Sequence, residues 1–304
     1  MNTFAKAEHF ICRNARPLDL ALWRFYFRNG SADDVLSALS FYQNEDGGFG
    51  HGLEPDYLNP NSSPIQTWQA TEIILETGVK DSSHPVIQGI LRYLDSGADF
   101  DTAHNQWLNC VPTNNDYPHA IWWEYNENGE LKYNPTAALA GFILRFADSS
   151  SELYEKGCTI ARQAAEWFIS AEPFEEMHVK ACFVRLYEAL CKTNAQIADM
   201  ERFKECLIRQ VNSEICHDIS KYGKEYVPLP SNFIHSPDSL FYAGNEELIA
   251  AECRLITEGQ LPDGSYPVPW QWWTDYSEFH VSANHWKSII ITNNMRFLKA
   301  FGGI

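Results

Sequence analysis

A loop of the form Gln-x-x-Asp-Gly-small-aromatic occurs twice in this chain, at Gln43–Phe49 (Gln-Asn-Glu-Asp-Gly-Gly-Phe) and at Gln260–Tyr266 (Gln-Leu-Pro-Asp-Gly-Ser-Tyr). Each copy follows one helix-like segment and precedes another, so the pair marks two equivalent joints in a repeating helical architecture. Gly permits a tight reversal, Asp and Gln can satisfy backbone donors at helix ends, and the aromatic ring staples neighbouring hairpins. In each copy a helix start is expected roughly seventeen residues after the Asp, at Ser63 and at His280. Glu127-Asn128-Gly129-Glu130, ahead of Asn134-Pro135, reads as a degenerate third copy.

Helical periodicity dominates the rest. Helices are expected over Thr3–Arg13 and Pro17–Phe27, then from a Ser31 N-cap with Asp33 and Asp34 in its first turn. Ser63-Pro64-Ile65-Gln66 reads as a capping box, with Ser63 as cap, Pro64 at the first helical position and Gln66 reaching back. Further helices are expected over 85–94, 137–146, 151–170, 173–192, 195–216, 245–258 and 281–301, giving about a dozen in all with almost no strand signal. Gly97 to Lys132 is a long irregular stretch, and loops of that length inside compact domains are usually functional or interfacial. No Pro/Gly/Ser-rich linker divides the chain, so 1–304 reads as a single domain.

Charge and composition narrow the partners. The formal charge is −17 with only 23 Lys plus Arg, which disfavours nucleic acid, anionic membrane surfaces and, less strongly, a diphosphate ligand. No run of apolar residues is long enough to span a bilayer and no N-terminal signal pattern is present, so a cytoplasmic protein without a transmembrane segment is expected. The eight Cys contain no Cys-x-x-Cys pair and read as buried free thiols of a reducing compartment.

The two glycine loops resemble the loop repeats of the α/α toroid superfamily, which contains the squalene and hopene cyclases and the β subunits of protein prenyltransferases. The resemblance implies an all-α fold, an α/α toroid of about six helical hairpins with inner and outer helices, joined by such loops. The family's functional motifs match only in part. Asp99-Phe100-Asp101-Thr102-Ala103 resembles the cyclase Asp-x-Asp-Asp motif but lacks one carboxylate, and a solvated turn is the plainer account. Ser277-Glu278-Phe279-His280 resembles the prenyltransferase segment that carries a zinc-binding His. No Asp-x-Cys partner accompanies it, so neither metal nor other cofactor is expected.

Three clusters are candidates for chemistry. His51, Glu54 and Asp56 follow the first glycine loop, are not repeated in the second, and suit acid/base work because crowded carboxylates push their pKa values apart. Trp270, Trp272, Trp273, Asp275, Tyr276, Glu278, His280 and Trp286 mix aromatic faces with carboxylates, which suits sugar stacking or cation stabilisation; inter-hairpin packing is the competing account of any single Trp. Trp123 and Glu124 repeat that chemistry in the long loop, and Asn293 lies on a stripe with Trp286, Ile290 and Phe297, where it either lines a cavity or is a satisfied buried amide.

His51, Glu54, Asp56, Asp275 and His280 are therefore the expected catalytic residues. Trp123, Glu124, Trp270, Trp272, Trp273, Trp286 and Asn293 are the expected ligand-binding residues. The leading expectation is an enzyme-like protein of the toroid superfamily holding a largely apolar, isoprenoid-like small molecule in a central cavity. A carbohydrate-active hydrolase or lyase using paired carboxylates and Trp platforms, and a non-catalytic toroid binding protein, remain as alternatives.

Overall fold

A computed structural model describes residues 2–193, 195 and 197–302. Among the described residues the fold is all-α, with one two-stranded hairpin. The helices are α1 Thr3–Asn14, α2 Pro17–Phe27, α3 Ala32–Leu39, α4 Pro64–Thr77, α5 Pro85–Asp95, α6 Thr136–Phe146, α7 Glu152–Ser170, α8 Met177–Thr193, α9 Met200–Glu214, α10 Glu246–Glu258 and α11 Phe279–Phe297. α11 runs on as a π-helical turn, Leu298–Gly302.

Side-chain caps start many of these helices. The Asn2 carboxamide accepts from Ala5 N (2.9 Å), and Ser31 Oγ accepts from Asp34 N (3.0 Å) while Asp34 accepts from Ser31 N (3.3 Å). Pro17, Pro64 and Pro85 each occupy a first-turn position that needs no N–H donor. The helix expected from Pro173 begins instead at Met177, so Pro173 stands outside it in an irregular stretch. The expected 195–216 helix shortens to Met200–Glu214, and its Gln196 lies outside the described residues.

The chain divides into two compact units. In the unit Leu39–Gln210, α6 is central, packed on α8 and α7 and touched by α4 and α5. α6 is apolar nearly all round (Ala137, Ala138, Leu139, Phe142, Ile143, Leu144), the pattern of a helix enclosed on every side. Gly141 lets it approach α8 closely, since a Cβ there would lie 3.1 Å from Ala189 Cβ and 3.3 Å from Leu186 Cα. Phe168 of α7, Phe183 of α8 and Phe203 of α9 complete this core, with Phe168 and Phe183 ring centroids 4.3 Å apart. The irregular stretch after α5 contains the hairpin β1 Phe100–Asp101 and β2 Gln106–Trp107, then two 3-10 turns at Pro112–Asp116 and Ile121–Trp123.

In the unit Met1–Ala38 with Val211–Ile304, α11 packs on α1 and α2, and α10 packs on the π-helical turn. The cysteines depart from expectation. All eight are free thiols, but Cys12 and Cys191 are exposed, and only Cys110, Cys182 and Cys206 are buried.

Candidate functional site

The two glycine loops form the same turn. In the first, Gln43 Nε2 donates to Gly47 O (2.9 Å) and to Val86 O in the first turn of α5 (3.0 Å). In the second, Gln260 Nε2 donates to Gly264 O (3.1 Å) and to Thr3 O in the first turn of α1 (2.9 Å). Asp46 Oδ1 accepts from Gly48 N and Asp263 Oδ1 from Ser265 N, each at 2.9 Å. Gly47 and Gly264 have φ of 96° and 95°, and a Cβ on either would strike a helix carbonyl, Gly89 O at 2.0 Å or Lys6 O at 2.2 Å. These side chains fasten a loop to a helix, as expected for scaffold. The Glu127–Glu130 stretch lies in an exposed turn closed by Gly129 N to Asn126 O (3.0 Å). Asp101 caps the tip of the β1–β2 hairpin, accepting from Ala103 N (2.8 Å) and His104 N (3.1 Å), as a solvated turn would. Asp99 instead accepts from the buried Tyr93 OH (2.8 Å), and burial raises its carboxyl.

The unrepeated half of the first loop is held by Gln66. Its Oε1 accepts from Leu53 N (2.9 Å) and its Nε2 donates to Asn59 O (3.0 Å), both buried. Ser63 Oγ does accept from Gln66 N (3.4 Å), but the reciprocal half of the expected capping box is absent because Gln66 is engaged with the loop. Asn59 Nδ2 continues the network to Thr113 Oγ1 (3.0 Å). Glu54 and Asp56 are 7% and 2% exposed, and Glu54 Oε1 accepts from Asp56 N (3.2 Å). Ala120 N donates to Asp56 O (3.0 Å), and Tyr57 pairs with the buried His119, so the long loop lies directly on this segment. His51 is exposed at φ 60°, its Nε2 2.9 Å from Asn44 Oδ1. The structure thus keeps His51, Glu54 and Asp56 on one short loop but divides them between surface and interior.

Beneath this loop lies an aromatic wall. Tyr57, Ile65, Cys110 and Val111 are buried together, with the half-buried Trp68, Trp123 and Tyr125 packed against them. Tyr57 and Trp123 meet edge to face, centroids 5.6 Å apart. Cys110 Sγ donates to Trp123 O (3.0 Å), and burial pushes its thiol up to about 11, so it is not a poised nucleophile. Trp68 Nε1 donates to Glu72 Oε1 (3.1 Å), which leads from the wall into a charged cluster. Arg185 of α8 places Nε 2.6 Å from Glu72 Oε2, Nη1 3.0 Å from Glu188 and Nη2 3.9 Å from Glu76. Burial raises the Glu72 carboxyl, Arg185 opposes that shift, and the neighbouring Glu76 and Glu188 reinforce it.

Glu72 and Arg185 were not among the expected residues. The available signal was spacing: Trp68, Glu72 and Glu76 recur every four residues on one face of α4, and Arg185 and Glu188 are three apart on α8. Glu124 is exposed beside Trp123, so of the expected pair only the Trp joins the wall.

In the other unit, Trp270 meets Trp286 edge to face at 5.1 Å and Tyr226 at 6.0 Å. Trp272 is buried against Tyr276 and Phe279, whereas Trp273 is 66% exposed with φ 53°, a left-handed backbone uncommon for a bulky residue. Asp275 and His280 are exposed, His280 at the start of α11. Asn293 is exposed, so it is not a buried amide. His285, also on α11, is held down to about 4 by burial and then by Arg16, whose guanidinium makes a buried pair with Asp19 (2.8 Å).

No group of three or more His, Cys, Asp or Glu placed to hold a metal ion occurs among the described residues, and no helix among them is long and apolar enough to cross a membrane. Compared with protein families, curated proteins and solved structures, the chain matches none.

Proposed function

We propose that residues 1–304 form a single α/α toroid domain that binds a largely apolar, isoprenoid-like small molecule in a central cavity, with acid/base groups at its loop face. Two features support the ring. Contacts join helices two apart in the chain, α4 to α6, α6 to α8 and α5 to α7, as alternating inner and outer series require. The second glycine loop also docks on α1 as the first docks on α5, the contact that an outer helix α1 following α11 would make.

The observation that carries the ligand reading is the wall of Tyr57, Trp68, Trp123 and Tyr125, which ends on the Glu72 carboxyl. Aromatic faces beside an acid whose pKa burial raises, against the opposing pull of Arg185, suit an unsaturated hydrocarbon and proton transfer to its double bond or hydroxyl. The acid/base candidates in this reading are His51, Glu54 and Asp56 on the segment ahead of α4 and, separately, Asp275 ahead of α11 and His280 in its first turn. A net charge of −17, and an Arg185 already occupied by carboxylates, favour a neutral prenyl compound over a diphosphate.

Farnesol and geranylgeraniol, titrated by tryptophan fluorescence and calorimetry, test the proposal. Saturable binding that Trp123→Ala weakens at least tenfold, with helix content unchanged, is expected; no binding of either alcohol, or binding indifferent to Trp68→Ala and Trp123→Ala, refutes it. Turnover lost in Glu72→Gln, Glu54→Gln or His280→Ala separates an enzyme from a binding protein. Trp273 favours a second reading, a carbohydrate-active protein, because an indole held out in solvent is a ready stacking platform for a sugar. A neutral oligosaccharide panel with Trp273→Ala tests it.

A further inference from the structure

We propose that residues 216–232 form a pH-sensitive strap, fastened across α10 by the buried carboxyl of Glu252 and loosened when that carboxyl ionises. The strap is a closed loop. Cys216 N donates to Pro228 O across its neck (2.8 Å), and Tyr222 OH donates to Cys216 O inside it (2.8 Å). It docks on α10 at two points one helical turn apart. Gly223 lies on Leu255, whose Cδ1 would be 2.6 Å from a Cβ there, and Ser231 N donates to Glu252 Oε2 (2.9 Å).

Glu252 is 2% exposed, and no Lys, Arg or His among the described residues enters its electrostatic environment. The titratable groups beside it are Tyr222 on the strap and Cys253 on α10, both raised by burial and neutral through the relevant range. Other ionisable groups of the strap, His217, Asp218, Lys221, Lys224, Glu225 and Tyr226, lie at its surface; His217 Nε2 is 3.0 Å from Asn212 O, and Lys221 pairs with Glu225 (3.5 Å). On α10 itself Glu246, Glu247, Arg254 and Glu258 are exposed. Lys299, on the π-helical turn packed against α10, donates to Tyr26 O (3.1 Å).

Burial lifts the Glu252 carboxyl from 4.5 to about 7, outweighing the hydrogen bonds from Ser231 that favour the ionised carboxylate, so the closed strap favours the neutral form. Opening the strap returns the group to water and to its ordinary value. The closed strap is therefore most stable below pH 4.5, loosens as pH rises toward 7, and reaches a plateau above that. The shift corresponds to an opening constant larger by about 300-fold on the plateau. The strap carries Tyr226, 59% exposed, against the edge of Trp270, so opening uncovers the Trp270–Trp286 face.

Hydrogen exchange on the full chain at pH 5 and pH 8, corrected for intrinsic rates, reads the opening directly. Amides of 216–232 are expected to lose on the order of a hundredfold protection at pH 8, while those of α11 keep theirs, and Glu252→Gln is expected to abolish the difference. Equal corrected protection at both pH values, or a difference that survives in Glu252→Gln, overturns the proposal. Should that variant fold poorly, the wild-type Glu252 carboxyl followed by carbon-13 NMR decides the matter: a midpoint near 7 upholds the strap, and one in the ordinary carboxylate range ends it.

Discussion

Replacing Gly47 with Ala separates two costs that the loop imposes. Gly47 has φ 96°, a conformation an L-residue reaches only with strain, and its Cβ would sit 2.0 Å from Gly89 O on α5. Gly97, in the same compact unit, has φ 75° with nothing within 4 Å of a Cβ. The backbone penalty applies to both and is about 1–2 kcal/mol. Only Gly47→Ala must also push α5 from the loop, adding about 1–3 kcal/mol as in other overpacked sites. Gly97→Ala is therefore expected to cost about 1–2 kcal/mol and Gly47→Ala about 2–5. Urea unfolding followed by helical circular dichroism measures both, with an unchanged denaturant slope as the check that only stability moved. The second loop offers an independent copy, because Gly264 (φ 95°) meets Lys6 O at 2.2 Å while Gly244 (φ 89°) is open. If Gly47→Ala and Gly97→Ala agree within about 0.5 kcal/mol, the loop does not dock on α5 in solution and the equivalence of the two loops fails.

Gln66→Leu leaves Leu53 N and Asn59 O without their buried partner and is expected to cost about 2–4 kcal/mol by the same urea assay. Arg185→Met strips three carboxylates of their shared cation and is expected to cost about 3–5 kcal/mol near neutral pH. Because the folded-state Glu72 carboxyl is already raised, that loss should shrink as pH falls below its titration and grow as pH rises, which a pH series of melting temperatures reads. His285 titrates the other way: its folded value near 4 lies below the ordinary 6.5, so the stability it contributes is present above 6.5 and is lost as pH falls toward 4. Its imidazole resonances should stay those of the neutral ring down to about pH 5 in an NMR titration, and a midpoint near 6.5 would contradict its burial.

Much of the helical framework was legible in local chemistry. Asn2, Ser31, Ser63 and Ser151 cap helices, and Pro17, Pro64 and Pro85 open them, because capping depends on residues a few positions apart. The equivalence of the two glycine loops was legible for the same reason, since Gln, Asp and Gly meet within seven residues. Gln66 shows where local reading stops. Its spacing from Ser63 is that of a capping box, yet the loop folded over it offers two buried backbone groups that need a partner more.

Sequence alone determined an all-α chain with two matched joints and an acidic surface, properties that follow from periodicity, short-range bonds and charge. Tertiary structure decided which polar groups matter. Glu54 and Asp56 went inside with the loop and Asn293 went to solvent, while Glu72, Arg185 and Glu252 acquired their character from partners or burial tens of residues away. A carboxyl's chemistry is set by the solvent and charges around it, and a linear sequence does not state which of those the folded chain brings near.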